Sequence, residues 1–522
     1  MLLANGLHPA ATCCNPYIFG VIAHKEQQTK ISFEKTNLKL RNSLLILRKL
    51  LIFTGLGASF AAGQSMPNAP SASGLPASNS FNLGQYTGSV PEGKATGQVL
   101  QLSFLDAMER GLRNNLGLLI QSDNTLNARG EKWKELSNLL PNVSASVTQS
   151  AEQIDLAALG FRIKAPGFPS VIGPIGVFQS GIYLQQTVFD LHQFDKTRSA
   201  RANEEVAKLN YKDARDLVVL ATLNAYLQSV SYEATVETSQ ADVDTAQALY
   251  DKAADQQKAG VSPAIDTLRA RVELQTRQQR LIAAKNNFAK QKLTLARVIG
   301  LPSGQEFELT DKAPYSPLTP DTLDQALQRA YTSRSDYLAA VQQLRAAQLA
   351  RRAATEEHYP TLGIAGDYGD AGVNVGNSHG VFQVGATLTI PIFAGGKTHG
   401  DVLEAEAALR QSRQQLENLR AQIDYDVRST MLDLQSAAEQ VEVARSSVDL
   451  AKETLAQARD RFAAGVTDNL EVVQAQDSVA SANEAYISSL YAHNLAKVAL
   501  ARATGFAEEG VRLYLQSAQQ GK

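Results

Sequence analysis

The stretch TLTIPIFAGGKTHG, Thr387 to Gly400, decides how this chain is to be read. Gly396-Lys397-Thr398 completes a phosphate-binding loop of the form G-x-x-x-x-G-K-[ST], but Pro391 stands where the first glycine belongs. Such a loop wraps phosphate with free backbone N–H groups, and proline has no N–H and a fixed φ. The other reading is architectural: a β-like run ends at Pro391 and hands over to a long helix. One reading leads to a nucleotide-hydrolysing enzyme and the other to a corner in a scaffold.

On the N-terminal side, Gly380–Ile390 places Phe382, Val384, Ala386, Leu388 and Ile390 on one face and Val381, Gln383, Gly385, Thr387 and Thr389 on the other. Asn142–Ser150 alternates Val143, Ala145 and Val147 with Ser144, Ser146 and Thr148. Runs of about 9 to 11 residues with one apolar and one polar face suit an outer-membrane strand, and equally a soluble sheet lying on a core. On the C-terminal side, Val427, Leu434, Val441, Val448, Leu455 and Phe462 recur every seven residues, joined by a four-residue step to Leu409, Leu416 and Ile423. Leu220, Leu227, Ala234, Ala241 and Ala248 predict the same seam earlier in the chain. No proline interrupts 195–258 or 400–463, so each helix runs for about 64 residues, or about 95 Å at 1.5 Å per residue. Ala, Ser, Gln and charged residues at many paired positions suit helices with two neighbours and one wet face.

The chain also repeats itself. Gly260-Val261 answers to Gly465-Val466, and ARVIG (296–300) to ARATG (501–505). Further upstream, Pro141 in LLPNVSASV answers to Pro360 in HYPTLGIAG, and Ala107 in LDAMERGL to Ala326 in LDQALQRAY. The offset changes between two β-like runs, where a loop absorbs an insertion. Each half reads short helix, helix, strand, loop, strand, very long helix, sharp turn, long helix.

Of the 522 residues, 44% are hydrophobic and 20% charged, a folded composition. Lys39, Arg41, Arg48 and Lys49 precede LLIFTGLGASF and small residues near Gly63, the pattern of a cleaved signal peptide; the apolar run is short of the roughly 20 residues of a membrane span. The leader takes seven Lys/Arg and two Asp/Glu, leaving a mature chain at −7, which argues against nucleic acid as a partner. Both cysteines, Cys13 and Cys14, go with the leader. The predicted organisation is a leader over 1–63, a flexible Ser/Pro/Gly-rich linker over 64–98, a first repeat over 99–304, a linker over 305–318, a second repeat over 319–506 and a tail over 507–522.

The LDAMERGLRNN and LDQALQRAYTSR openings, the Pro141 and Pro360 strand starts, and the tips KAGVSPAIDTLRAR and AAGVTDNLEVVQAQ, in two copies at matching offsets over nearly all of 99–506, resemble the TolC-type outer-membrane efflux family. The resemblance implies a membrane α+β fold. Four β-strands per chain, too few to close a barrel alone, join those of two other copies in a homotrimer to make a 12-stranded outer-membrane β-barrel. That barrel continues into a long periplasmic α-helical coiled-coil barrel. Implied partners are outer-membrane lipid, a periplasmic adaptor and an inner-membrane transporter, and the implied role is a passive exit duct in tripartite efflux or type I secretion. A periplasmic coiled-coil scaffold without a pore is the alternative; it accounts for the heptads but leaves the amphipathic strands without a purpose.

The tips Gly260, Val261, Gly465 and Val466 are then the adaptor contacts, although a left-handed glycine C-cap alone accounts for the glycines. Entrance-gate candidates are Asp266, Phe462, Thr467, Asp468, Glu471 and Gln474. In the family's type member an aspartate past the first tip bonds a tyrosine and an arginine beside the second. Asp266 matches that aspartate, but Phe462 has no hydroxyl and Thr467 no charge, so the same latch cannot form. Of two acidic rings, Glu471 keeps its charge and Gln474 does not; the plain alternative for Asp266, Asp468 and Glu471 is a first-turn carboxylate favoured by the helix dipole. Pro141, Pro360, Pro391, Gly395 and Gly396 mark the strand–helix junctions. The seven scattered histidines and the absence of H-E-x-x-H or G-x-S-x-G imply no catalytic, cofactor-binding or metal-binding residues. The first-half counterpart of IPIFAGGKTHG is QTVFDLHQFDK (186–196), with no Gly-Lys-Thr, so phosphate binding is not what that position demands.

Overall fold

The computed structural model describes residues 83–510 apart from 157, 159, 161–169, 312–314, 316–321, 465 and 468. The expected leader, most of the 64–98 linker, residues 511–522 of the expected tail, tip residue Gly465 and gate candidate Asp468 lie outside the described residues.

The duplication appears as two matching sets of elements. The first is β1 (Leu100–Leu102), α1 (Phe104–Asn114), α2 (Leu116–Ser137), β2 (Asn142–Asp155), β3 (Val171–Phe189), α3 (Leu191–Lys258) and α4 (Ala264–Ile299). The second is β4 (Phe307–Leu309), α5 (Leu323–Ser333), α6 (Ser335–Glu356), β5 (Thr361–Gly372), β6 (Ser378–Thr389), α7 (Lys397–Ala463) and α8 (Asn469–Ala503). The helix pairs are 11 and 11, 22 and 22, 68 and 67, and 36 and 35 residues long, a match that chance similarity of periodic sequence does not produce. Even the local signals repeat: α1 opens with a Ser103/Asp106 capping box and α5 with Thr322/Gln325.

Each very long helix has two partners in its own half. α3 packs on α2 and then on α4, and α7 on α6 and then on α8; α3 also meets α6 and α8, which joins the halves. The predicted seam of α7 is buried from Leu416 and Ile423 through Val427, Leu434, Val441, Val448 and Leu455, with Phe462 half-buried. The α3 seam holds only through Leu220, Leu227 and Ala234. Ala241 and Ala248 are exposed, and the buried positions there are Ala246 and Ala253. Alanine carries too little apolar surface to fix which face of a helix turns inward.

Two stretches expected to be linkers are packed. Residues 83–97 bury Tyr86, whose carbonyl accepts a 2.6 Å bond from the Asn115 amide, while Thr96 N–H donates to Gln305 Oε1 at 2.8 Å. Within 305–318, β4 pairs in parallel with β1, Leu100 opposite Phe307. Phe307 joins the cluster of Leu102, Phe104, Met108, Tyr226 and Ile299, where the Phe104 and Tyr226 rings meet edge-on at 5.6 Å, while Tyr86 packs with Leu118, Ala214, Val218 and Ala221. Residues 507–510 also pack, with Ala507 buried and Glu508 paired with Arg215 at 3.0 Å.

The other four strands form one antiparallel sheet in the order β2-β3-β5-β6. Its register sorts the side chains cleanly. Ala145, Ile182, Tyr368 and Phe382 form one row across the sheet and Val143, Leu184, Gly366 and Val384 the next. The opposite face carries the row Ser144, Tyr183, Asp367 and Gln383. β2 runs past the Asn142–Ser150 stretch read from the sequence, to Asp155, and β3 begins at Val171. The apolar rows cover no core: Phe382 is 77% exposed and Val384 74%.

Candidate functional site

The seam between sheet and helices resolves the segment that resembled a nucleotide loop. Pro141 and Pro360 each stand one residue before a strand, and Pro391 stands just beyond β6. Gly395 and Gly396 both have positive φ, 63° and 87°, and Gly396 serves as the N-cap of α7. In the first half the same corner is capped by a side chain, Asp190 accepting from Gln193 N–H at 2.9 Å. Lys397 does not point into a phosphate cradle; its ammonium holds Asp401 at 2.8 Å and Glu357 at 3.1 Å. Ile392 and Phe393, 96% and 89% exposed, extend the apolar sheet face through the corner.

At the other end, both long helices stop in the same way. Gly260 has φ 73°, and Val261 N–H bonds back to the Gln256 carbonyl; Val466 N–H does the same to Arg461, each bond closing a Schellman turn. Val261 and Val466 are exposed. The gate candidates split between the hairpins. Asp266 is buried, accepts from Ser262 Oγ at 3.0 Å and lies 3.7 Å from Arg269, so it is not a solvated cap. Phe462 packs with Leu455 and Val472, with the Lys252 ammonium 5.9 Å from its ring centre. Glu471 accepts from Arg461 at 2.6 Å and from the Thr467 hydroxyl, and Gln474 is exposed.

A residue that sequence reasoning missed joins the hairpins. Arg277 of α4 is 2% exposed. Its Nη2 donates to Asp477 of α8 at 2.6 Å, its Nε to Glu273 at 2.5 Å, and its Nη1 lies 3.9 Å from Asp242 of α3. Arg280 reaches the same Asp477 at 3.6 Å. Burial raises the Asp242 carboxyl pKa against the opposing pull of the two arginines. The bond to Glu273 is a local pair four residues apart, but nothing in the chain's periodicity marks Asp242 and Asp477, which are 35 and 200 residues away.

Among the described residues no helix is long and apolar enough to cross a membrane, and no group of three or more His, Cys, Asp or Glu could hold a metal ion. The membrane-type surface is the outward apolar face of the sheet, carried on helices long enough to reach far into an aqueous space. Together these features define an outer-membrane duct.

Comparison with known proteins gives the family. The outer membrane efflux protein family matches residues 136–301 and 326–506, one segment in each repeat, and the chain belongs to it. It is 23% identical over 414 residues to the alkaline protease secretion protein AprF of Pseudomonas aeruginosa, covering 74% of this chain and 82% of that protein. It is 19% identical over 360 residues to the outer membrane protein TolC of Escherichia coli, covering 65% and 71%. The fold superposes on the Campylobacter jejuni CmeC outer membrane channel with a TM-score of 0.65 at 17% identity, over 83% of this chain and 95% of that one. The protein is therefore an outer-membrane efflux channel and not an enzyme.

In that setting the apolar rows of β6, Phe382 and Val384 among them, are expected to face lipid. Val384→Arg places a charge mid-strand and is expected to cost about 2 to 4 kcal/mol. It should deplete the protein from outer-membrane fractions, whereas Gln383→Arg, one residue away on the polar face, should not. Equal membrane recovery of the two variants would reverse the assignment of faces.

Proposed function

We propose that three copies of this chain pool their strands into a 12-stranded barrel and their helices into one periplasmic tunnel. The tunnel is a passive duct for cargo delivered by an inner-membrane transporter through a periplasmic adaptor, in a tripartite efflux or type I secretion machine. The observation that supports it best is the four-stranded sheet itself: its apolar rows need lipid, and its open edges at β2 and β6 are not tolerated there unless they pair with another copy. The tips at Gly260-Val261 and Gly465-Val466 are the adaptor contacts in this reading. Glu471 ranks as a cation site at the narrow axis, reduced in strength by Arg461.

Reconstituted full-length chain is expected to give stepwise conductance in planar bilayers and to run as a trimer in detergent. Glu471→Ala is expected to weaken cation block at the periplasmic end, measured from that side. A protein that stays soluble without detergent and opens no pore would favour the scaffold instead.

A further inference from the structure

The groove between α2, α3 and α6 just below the sheet has no part in the reading above. It encloses about 900 Å³ and presents Lys132, Arg198, Arg201, Lys208, Arg345 and Arg352 against Glu204 and Glu205. Four of these cations are engaged: Lys132 with Glu204 at 2.8 Å, Lys208 with Glu205 at 3.2 Å, and Arg198 and Arg352 with Asp195, both at 3.0 Å. Arg201 and Arg345, on separate walls, have no acidic partner among the described residues.

The groove's place in the fold says which anion would reach it. α3 begins at Leu191 and α6 ends at Glu356, so Arg198 and Arg352 lie roughly 6 to 10 Å below the strand ends and Arg201 and Arg345 roughly 15 Å below. Phe194, Arg198, Arg201, Glu205 and Lys208 share one stripe of α3, spaced by four and three residues. That stripe is distinct from Gln193 and Thr197, which bond to α2, and from Asp195 and Ser199, which bond to α6. Phe194 at its head and Trp133 beside Lys132 are exposed. Aromatic rings next to the apolar sheet, with long cations below them, are the order of groups met on leaving a bilayer through its headgroups.

We infer that this groove binds phosphate, that its source is the headgroup of an anionic phospholipid in the periplasmic leaflet, and that Arg201 and Arg345 are the principal ligands. A guanidinium presents two parallel N–H donors to phosphate oxygens, and two such forks on facing walls clamp one headgroup. Trp133, the chain's single tryptophan, reports on the site.

The test is a fluorescence titration of the full chain in neutral detergent with short-chain phosphatidylglycerol, short-chain phosphatidylcholine, and inorganic phosphate. Phosphatidylglycerol should change Trp133 emission saturably and phosphatidylcholine should not. Arg201→Gln with Arg345→Gln should weaken the response about thirtyfold, and Arg201→Gln alone about fivefold, which keeps the test open if the double variant folds poorly. Equal responses to the two lipids, or no change in either variant, would overturn the site. Inorganic phosphate binding as tightly as phosphatidylglycerol would overturn the lipid as source and assign the groove to a soluble anion.

Discussion

Replacing Arg334 with methionine is expected to lower folding stability by about 3 to 5 kcal/mol, the cost of stranding a buried carboxylate. Arg334 is buried at the junction of α5 and α6, donating to Asp336 at 2.7 and 3.1 Å and to Asp426 of α7 at 3.2 Å. Asp426 is buried as well, and without the guanidinium it keeps Gln422 at 2.7 Å as its remaining side-chain donor. The network continues through Arg502 of α8, 3.7 Å from Asp336 and bonded to Asp213 of α3, so it ties both halves together. Burial alone would raise the Asp336 carboxyl pKa, but the bonds from Arg334 and the charge of Arg502 outweigh it and hold it below 3.8. A depressed carboxyl pKa stabilises the fold above the unfolded value, and that contribution is lost as pH falls through the folded value. The wild type should therefore lose stability below about pH 4 more steeply than Arg334→Met. Thermal unfolding followed by helical circular dichroism across pH 3 to 7 checks both; a loss under about 1 kcal/mol would mean water reaches Asp426.

Arg334 also shows where the sequence stops being legible. The duplication, the capping boxes and the α7 seam are written in short-range patterns of large or hydrogen-bonding side chains, and they can be read directly. Asn115 and Arg334 occupy equivalent positions, each the N-cap of a 22-residue helix. Asparagine there is a local signal, since its side chain accepts from Leu118 N–H. Arginine caps nothing; it bonds Asp336, two residues on, and Asp426, 92 residues on, and the second partner leaves no local signal. The alanine stretch of α3 failed for a different cause, too little surface to choose a face. Asp266 and Glu471, each held by a side chain of its own hairpin, Ser262 and Arg461, were legible as first-turn carboxylates. What links one hairpin to the other was not, because charge pairs between distant helices leave no spacing to find.

That link carries the second large effect. Arg277→Met removes the group that holds Asp477 on α8, Glu273 on α4 and, more distantly, Asp242 on α3, so the two return helices lose their closer ion pair and keep only Arg280 with Asp477, at 3.6 Å. In the proposed duct those helices frame the entrance, and the tyrosine–arginine latch of the family's type member is replaced by Phe462 and Thr467. In that proposed duct the cluster is expected to supply a closing bias by a different route. If it favours the closed arrangement by only about 1.4 kcal/mol, its removal raises the open-to-closed ratio tenfold. Single-channel recordings should show longer openings at unchanged ion selectivity, while Glu471→Ala should change cation affinity without lengthening openings. Arg277→Lys keeps the charge but reaches fewer partners than the fork, so it should fall between wild type and methionine. Lowered thermal stability with unaltered opening would make Arg277 a brace of the wall and leave the entrance governed by the tips alone.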